Sequence, residues 1–464
     1  MDRLTVLDDT FVVLERDNLP MHIGSLMIFD GPPPEYEDLT AHMSGRLDQL
    51  PRYRQVLREV PLNLGRPTWQ DDTHFSLEYH VRHTAVPHPG GDEQLRILAG
   101  RLLSQRLDMQ RPLWEMWLIE GLAQDRFAIL NKVHHAMVDG LSGADIMAAL
   151  LDESPQPVDR TPSQWRPTPP PSTVSVVGAA VVDAVRNPMD RLGHLVKDLE
   201  SPRDAVQKVA SALAGTLRIG ETLAHTEDNL MGQPGPHRRW VWANGSLDEV
   251  RTIKSALGGT VNDVILTAIA SGFREFLLGR VDDLPEGAFV RTMVPVSTRP
   301  SDAQSGGNQV AVMFCDLPVG LADVGERFAS VHEQMVAAKS SGTVEGLDSL
   351  LENAVFIPPA LYAAAGKLAA VTPQPAVSTI TTNVPGPQSQ LYILSHPMRK
   401  MLPYVPLGMN QLVTIAIMSY NGELCCGITA DYDQVPDVQR VAQGIEQGLA
   451  DLAAAAAERG SGSS

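Results

Sequence analysis

Cysteine is scarce, with three residues in a chain of 464, and that excludes a disulfide scaffold. Positive charge is also short. There are 37 Lys+Arg against 55 Asp+Glu, a formal charge of −18. So acidic a surface argues against nucleic acid as the main partner, because phosphate binding needs concentrated positive charge. Long apolar runs are missing too. The best candidate, Val174 to Val185, is interrupted by Asp183 and falls short of the roughly 20 residues a span requires. The opening MDRLTVLDD puts acidic residues where a secretory signal needs basic ones followed by an apolar block. The expectation is a soluble, cytoplasmic chain.

What is present is an ordinary globular balance, 43% hydrophobic and 20% charged, which rules out disorder for most of the chain. Between Pro155 and Pro171 stand seven prolines. Proline lacks an N–H and restricts the residue before it, so this stretch is an extended linker. It divides the chain into 1–151, a connecting region 152–235 whose later part (Val174 to Ile219) has helical apolar spacing, and 236–459.

Both flanking parts read as mixed α/β. Strands are expected at Met21 to Phe29, His74 to Val81, Trp114 to Ile119, Phe127 to Val133, Phe289 to Val296 and Gln309 to Leu317. Helices are expected over Leu95 to Leu107, Val264 to Leu278, Asp323 to Lys339 and Val438 to Leu452. Gln411 to Tyr420, Asn421-Gly422 and Glu423 to Ala430 form a hairpin around a tight Asn-Gly turn. Cys425 and Cys426, adjacent in that strand, should face opposite sides. Two α/β halves joined by a linker suggest a site in the crevice between them.

The chemistry gathers at FAILNKVHHAMVDG, Phe127 to Gly140. An apolar strand ends in His134 and His135, and Gly140 permits a turn. Adjacent strand residues point to opposite sides, so the pair makes a poor metal clamp, and neither HExxH nor a zinc-spaced cysteine pair occurs. No metal is expected. Ser142 in GLSGA lacks the last glycine of a GxSxG elbow and is better placed as a helix cap. A neutral imidazole acting as general base, without a covalent intermediate, remains. Asp139 could orient that imidazole or bind an arginine that fixes the loop. The histidines His74, His80, His83 and His88 and the run Arg238-Arg239-Trp240-Val241-Trp242 read as structural, the latter as a strand entering the second half.

HHAMVDG resembles the active-site motif of acyl-CoA-dependent acyltransferases related to chloramphenicol acetyltransferase and to nonribosomal condensation domains. Further segments are similar to the bacterial wax ester synthase/diacylglycerol acyltransferases, most of all the actinobacterial ones: LTVLDDTFVVLERDNLPMHIG from Leu4, RPLWEMWLIEGL from Arg111, GGTVNDVIL from Gly258, VPVSTRP from Val294, GGNQV from Gly306 and TNVPGPQ from Thr382. The resemblance implies two acetyltransferase-like α/β subdomains with mixed sheets and an active site in a tunnel between them. It implies an O-acyltransferase moving a long-chain acyl group from acyl-CoA to diacylglycerol or a long-chain alcohol.

On this resemblance His135 is the base, His134 supports the fold, Asp139 is structural with Arg299 as candidate partner, and Gly140 makes the turn. Pro112-Leu113-Trp114 matches a motif that shapes the acyl tunnel, though Trp114 equally suits ordinary core. Asn262-Asp263 matches a paired Asn-Asp, for which helix capping is the alternative. Asn383 could donate to a developing oxyanion or simply form a turn. No resident cofactor is implied, acyl-CoA being a substrate, and a basic patch should receive its nucleotide. Peripheral contact with the inner membrane face or lipid inclusions is implied as well. The competing readings are an acyltransferase using a carrier-protein thioester or a polyketide-derived alcohol, and a non-catalytic lipid-body-binding protein.

Overall fold

The computed structural model describes residues 2–61, 65–138, 149–158, 160, 164–172, 175, 176, 178, 230–297, 310–340 and 377–461. In chain order the first half runs β1 (Asp2–Arg3), α1 (Val6–Leu14), β2 (His22–Asp30), α2 (Tyr36–Arg46), β3 (Gln55–Arg58), β4 (Thr68–Asp71), α3 (Leu77–His80), β5 (Val81–Ala85), α4 (Asp92–Ser104), β6 (Trp114–Leu122) and β7 (Arg126–His134). The second runs β8 (Arg238–Ser246), α5 (Leu247–Leu257), α6 (Val261–Leu278), β9 (Val290–Ser297), β10 (Val310–Leu317), α7 (Val324–Ser340), β11 (Thr379–Val384), β12 (Tyr392–Ile393), β13 (His396–Tyr404), β14 (Val413–Tyr420), β15 (Glu423–Asp431) and α8 (Gln439–Ser461).

Two mixed six-stranded sheets carry the fold. One has the order β12-β13-β2-β7-β6-β5 and the other β10-β9-β11-β14-β15-β8. A small sheet, β1-β4-β3, lies beside the first. In the large sheets the pairs β5–β6, β9–β11 and β11–β14 are parallel and the rest antiparallel. Both large sheets are covered on both faces, and β7 and β15 are accordingly buried at nearly every position rather than at alternate ones.

The strand alternation expected at Cys425 and Cys426 is visible in the packing. Cys425 joins a cluster with Leu26, Leu130, Leu402 and Trp240, where the two halves meet. Cys426 points into the core under α6 and α8, with Ile269 and Ile445. Gly427 permits the close crossing of β13 over β15, since a Cβ there would stand 1.8 Å from the Pro403 carbonyl oxygen. Gly427→Val should therefore force the two sheets apart. A Tm drop corresponding to about 3 kcal/mol or more is expected in a thermal melt, and an unchanged Tm would show that the crossing relaxes.

The structure departs from the sequence expectations in two places. His74 to Val81 is not one strand: the Asp72 carboxylate accepts the His74 N–H at 2.9 Å, a local turn that gives way to the short helix α3 before β5 begins. The two sheets also do not divide at the linker. β12 and β13, from the second half of the sequence, add to the first sheet through the pairing of Leu402 with Leu26. Among its described residues the proline-rich stretch forms neither helix nor strand, and its Thr168 N–H reaches Asp71 at 2.9 Å. The helices expected between 174 and 219 lie outside the described residues, apart from Ser175, Val176 and Gly178. Among the described residues no single helix is long and apolar enough to cross a membrane.

Candidate active site

β7 ends at His134, and a 3-10 turn begins at His135 (His135–Met137). β2 runs antiparallel beside it, with His22 opposite His134, and the His135 N–H donates to the Met21 carbonyl at 2.9 Å. This pairing fixes the backbone and leaves the two imidazoles to diverge.

His134 is buried, its Nδ1 accepting from the Ala136 N–H at 3.1 Å. That makes Nε2 the protonated nitrogen, and it donates to Glu15 Oε2 at 3.2 Å. Glu15 also accepts the Met21 N–H at 2.6 Å and Arg106 Nε–H at 3.0 Å. Burial alone would raise its pKa, but the hydrogen bonds from His134, the Met21 N–H and Arg106 outweigh it and hold the carboxyl below its ordinary range. Glu15, supplied from just beyond α1, thus ties the start of β2 to the end of β7.

His135 points the other way, into a cavity of about 310 Å³. Phe11 stacks on its ring with centroids 3.8 Å apart. Burial is the main cause that lowers its pKa from 6.5 to about 4, helped by His134 and opposed by a hydrogen bond to its own main chain. Covalent reach makes the nitrogen in that last contact Nδ1, so the neutral ring presents the Nε2 lone pair. The cavity lies between the halves. Phe11, Leu14, Met21 and His135 form one side; Met293 and Pro295 of β9, Ile380 and Thr382 of β11 and the return loop around Val405 to Gln411 form the other. Among the described residues its polar side chains are His135, Thr382, Asn410 and Gln411, the remainder being apolar or glycine.

Other sequence candidates fall elsewhere. Asp139, Gly140, Ser142 and Arg299 lie outside the described residues. Pro112, Leu113 and Trp114 do not line the cavity. Trp114 is fully buried, donates Nε1–H to the Tyr53 carbonyl at 2.8 Å and stacks on His80. Leu113 touches the motif through its carbonyl, which accepts the His134 N–H at 2.9 Å.

Asn262 and Asp263 are not in the cavity either. Asp263 closes a capping box with Thr260 and bonds His332 Nδ1 at 2.8 Å. Asn383 does not line the cavity: Ile380 and Thr382 of the same strand face it, so by alternation Asn383 faces away. His22 is hydrogen-bonded through Nε2 to the Leu103 carbonyl at 2.9 Å. Glu15, Phe11, Thr382 and Gln411 were missed. The acid in LERD was the one available signal for Glu15.

No cysteine offers a nucleophile. Cys315, Cys425 and Cys426 are buried, and burial pushes the Cys315 and Cys425 thiols up to about 12.

Burial of neutral histidines predicts a pH-dependent stability. His80 and His135 fall from 6.5 to about 4 and His22 well below 6.5, burial being the leading cause in each. Between these values the unfolded chain binds more protons, so stability is full above about pH 6.5 and is lost as pH falls toward 4. His80 alone accounts for about 3 kcal/mol over that window. Asp9, raised to about 6 by burial, opposes the trend between 3.8 and 6. Tm should decline from pH 7 to pH 5 and decline less in His80→Gln; an equal slope in that variant would contradict the assignment.

Comparison with known proteins agrees with this arrangement. Residues 4–265 match the wax ester synthase/diacylglycerol acyltransferase catalytic domain, and residues 306–453 match the C-terminal domain of the same family. A probable diacylglycerol O-acyltransferase of Mycobacterium tuberculosis is 34% identical over 470 residues, covering 99% of this chain and 97% of the relative. A second from that organism is 29% identical over 472 residues, covering 97% and 99%. Among solved structures, the wax ester synthase/diacylglycerol acyltransferase of Marinobacter aquaeolei VT8 superposes with a TM-score of 0.68 at 26% identity, covering 98% of this chain and 100% of that one. The starter condensation domain of rhizomide synthetase shares the fold, with a TM-score of 0.55 at 11% identity over 98% and 94% of the two chains. A histidine-bearing cavity between two mixed α/β halves, together with these matches across nearly the whole chain, establishes that the protein is an acyltransferase and belongs to the wax ester synthase/diacylglycerol acyltransferase family.

Proposed function

We propose that the protein transfers a long-chain acyl group from acyl-CoA to a lipid hydroxyl, making triacylglycerol from diacylglycerol or wax ester from a long-chain alcohol. The observation that carries this reading is the neutral His135 imidazole at the wall of an apolar cavity between the halves. The names of the mycobacterial and Marinobacter relatives support both acceptors. Nε2 takes the acceptor hydroxyl proton as its oxygen attacks the thioester carbonyl; the tetrahedral intermediate collapses, and Nε2 returns the proton to the departing thiolate. Thr382 and Gln411 are the polar groups placed to steady the negative oxygen. The apolar lining favours a lipid hydroxyl over water and so limits hydrolysis. Peripheral contact with a membrane or lipid inclusion would deliver such acceptors.

The same cavity would serve a carrier-protein thioester, and a lipid-binding protein needs a cavity but no base. Thiol release from palmitoyl-CoA separates these readings. Release that depends on added dioleoylglycerol or hexadecanol is expected. Release only from a carrier-bound thioester, or none at all, would overturn the proposal.

A further inference from the structure

A second concavity, of about 1320 Å³, opens between α4, the start of β8 and the segment around Tyr432 to Gln443. In a chain of formal charge −18 this groove collects Arg96, Arg101, Arg106, Arg238 and Arg239 against Asp17 and Glu93. So local a reversal of sign in an acidic protein marks a place for an anion.

The arginines are only partly committed. Arg106 is ion-paired to Glu15 and Asp17. Arg238, 2% exposed, gives its terminal nitrogens to the neutral carbonyls of Gly235, His237 and Asn18, and its Nε is buried with no partner. Arg96 lies over the Trp242 ring at 4.3 Å, and its Nε is likewise buried and unpartnered. Arg239 lies over the Tyr432 ring at 4.0 Å. Arg101 is exposed and has no partner among the described residues. Arg238 is buried and feels the Asp431 carboxylate without forming an ion pair with it, so an anion arriving in the groove would ease the cost of burying its charge, while the exposed Arg101 can offer a phosphate bidentate hydrogen bonds.

The groove also adjoins the reaction cavity. Glu15 links the two: Oε1 accepts from Arg106, which lines the groove, and Oε2 from Met21, which lines the cavity beside His135.

We propose that this groove holds the phosphates of the coenzyme A nucleotide, leaving the acyl thioester to reach His135 past Glu15. The inference rests on the acyl-CoA reading above. An anionic lipid headgroup offers the same phosphate chemistry. A recess between the halves, with planar cations stacked on aromatic rings, suits a nucleotide better than a lipid surface.

The test compares acyl-CoA with the acyl thioester of N-acetylcysteamine, which lacks the nucleotide, in the full chain and in Arg101→Glu. The ratio of kcat/KM for acyl-CoA to that for the truncated thioester should fall about tenfold in the variant, chiefly through KM for acyl-CoA. Adenosine 3′,5′-bisphosphate should compete with acyl-CoA in the unsubstituted protein, and more weakly in Arg101→Glu. An unchanged ratio, or a bisphosphate that does not compete, would overturn the groove assignment while leaving the acyl-donor reading intact. So would an unchanged ratio with weaker sedimentation on phosphatidylglycerol vesicles, which would assign the groove to a membrane. Absence of turnover with either thioester would instead sink the acyl-donor reading itself.

Discussion

Replacing His135 with alanine should lower kcat by about 100-fold or more, the scale of a lost general base. KM for either substrate should change little, because the cavity is bounded mainly by apolar side chains from both halves. The fold should persist. His135 leaves through the cavity side, and its closest ring contact is the Phe11 stack at 3.8 Å, worth about 1 kcal/mol. Tm and turnover measured on the same preparation decide the point. A His135→Ala protein that melts normally and turns over within a fewfold of the parent would remove His135 from the chemistry.

Glu15→Ala should be the second severe change, through a different route. Glu15 is buried and holds three donors at once: His134 Nε2, the Met21 N–H and Arg106. Its removal strands the Met21 and His134 donors and unpairs one side of Arg106. Breaking a buried charged network in this way costs about 3–5 kcal/mol. Tm should fall, and kcat with it, since the Met21 carbonyl holds the His135 N–H. Glu15→Gln keeps an acceptor and should recover much of the Tm. Its deficit should grow where the carboxylate matters: Glu15 lies below the ordinary carboxyl range, so its stabilising contribution is present above about pH 4.5 and fades as pH falls. Equal Tm in parent and Glu15→Ala would show that the network contributes nothing to the fold.

These two residues illustrate what sequence can and cannot reveal. The divergence of His134 and His135 follows from local geometry, since a strand ending in two histidines must aim them apart. Helix capping by Asp263 was legible for the same reason, since the capping box it closes with Thr260 is a four-residue rule. The oxyanion role considered for Asn383 came from the resemblance, but the parity of its strand decides which face it takes, and parity needs the register of β11 against β9 and β14. Glu15 stands 119 residues from His134, and no local pattern reports such a pairing. The return loop from Val405 to Gln411 was invisible for a further reason. Its role depends on β13 leaving one sheet for the other, a crossing marked in sequence only by the small side of Gly427.

Direct transfer of the acyl group past a neutral His135, with no covalent stopover on the protein, is the central claim. Intact-protein mass after incubation with palmitoyl-CoA alone tests it most directly. The thiols of Cys315 and Cys425 are buried and raised to about 12, so no acyl increment should be seen, and double-reciprocal plots with both substrates varied should intersect. A stoichiometric palmitoyl increment that disappears on adding alcohol would contradict the account.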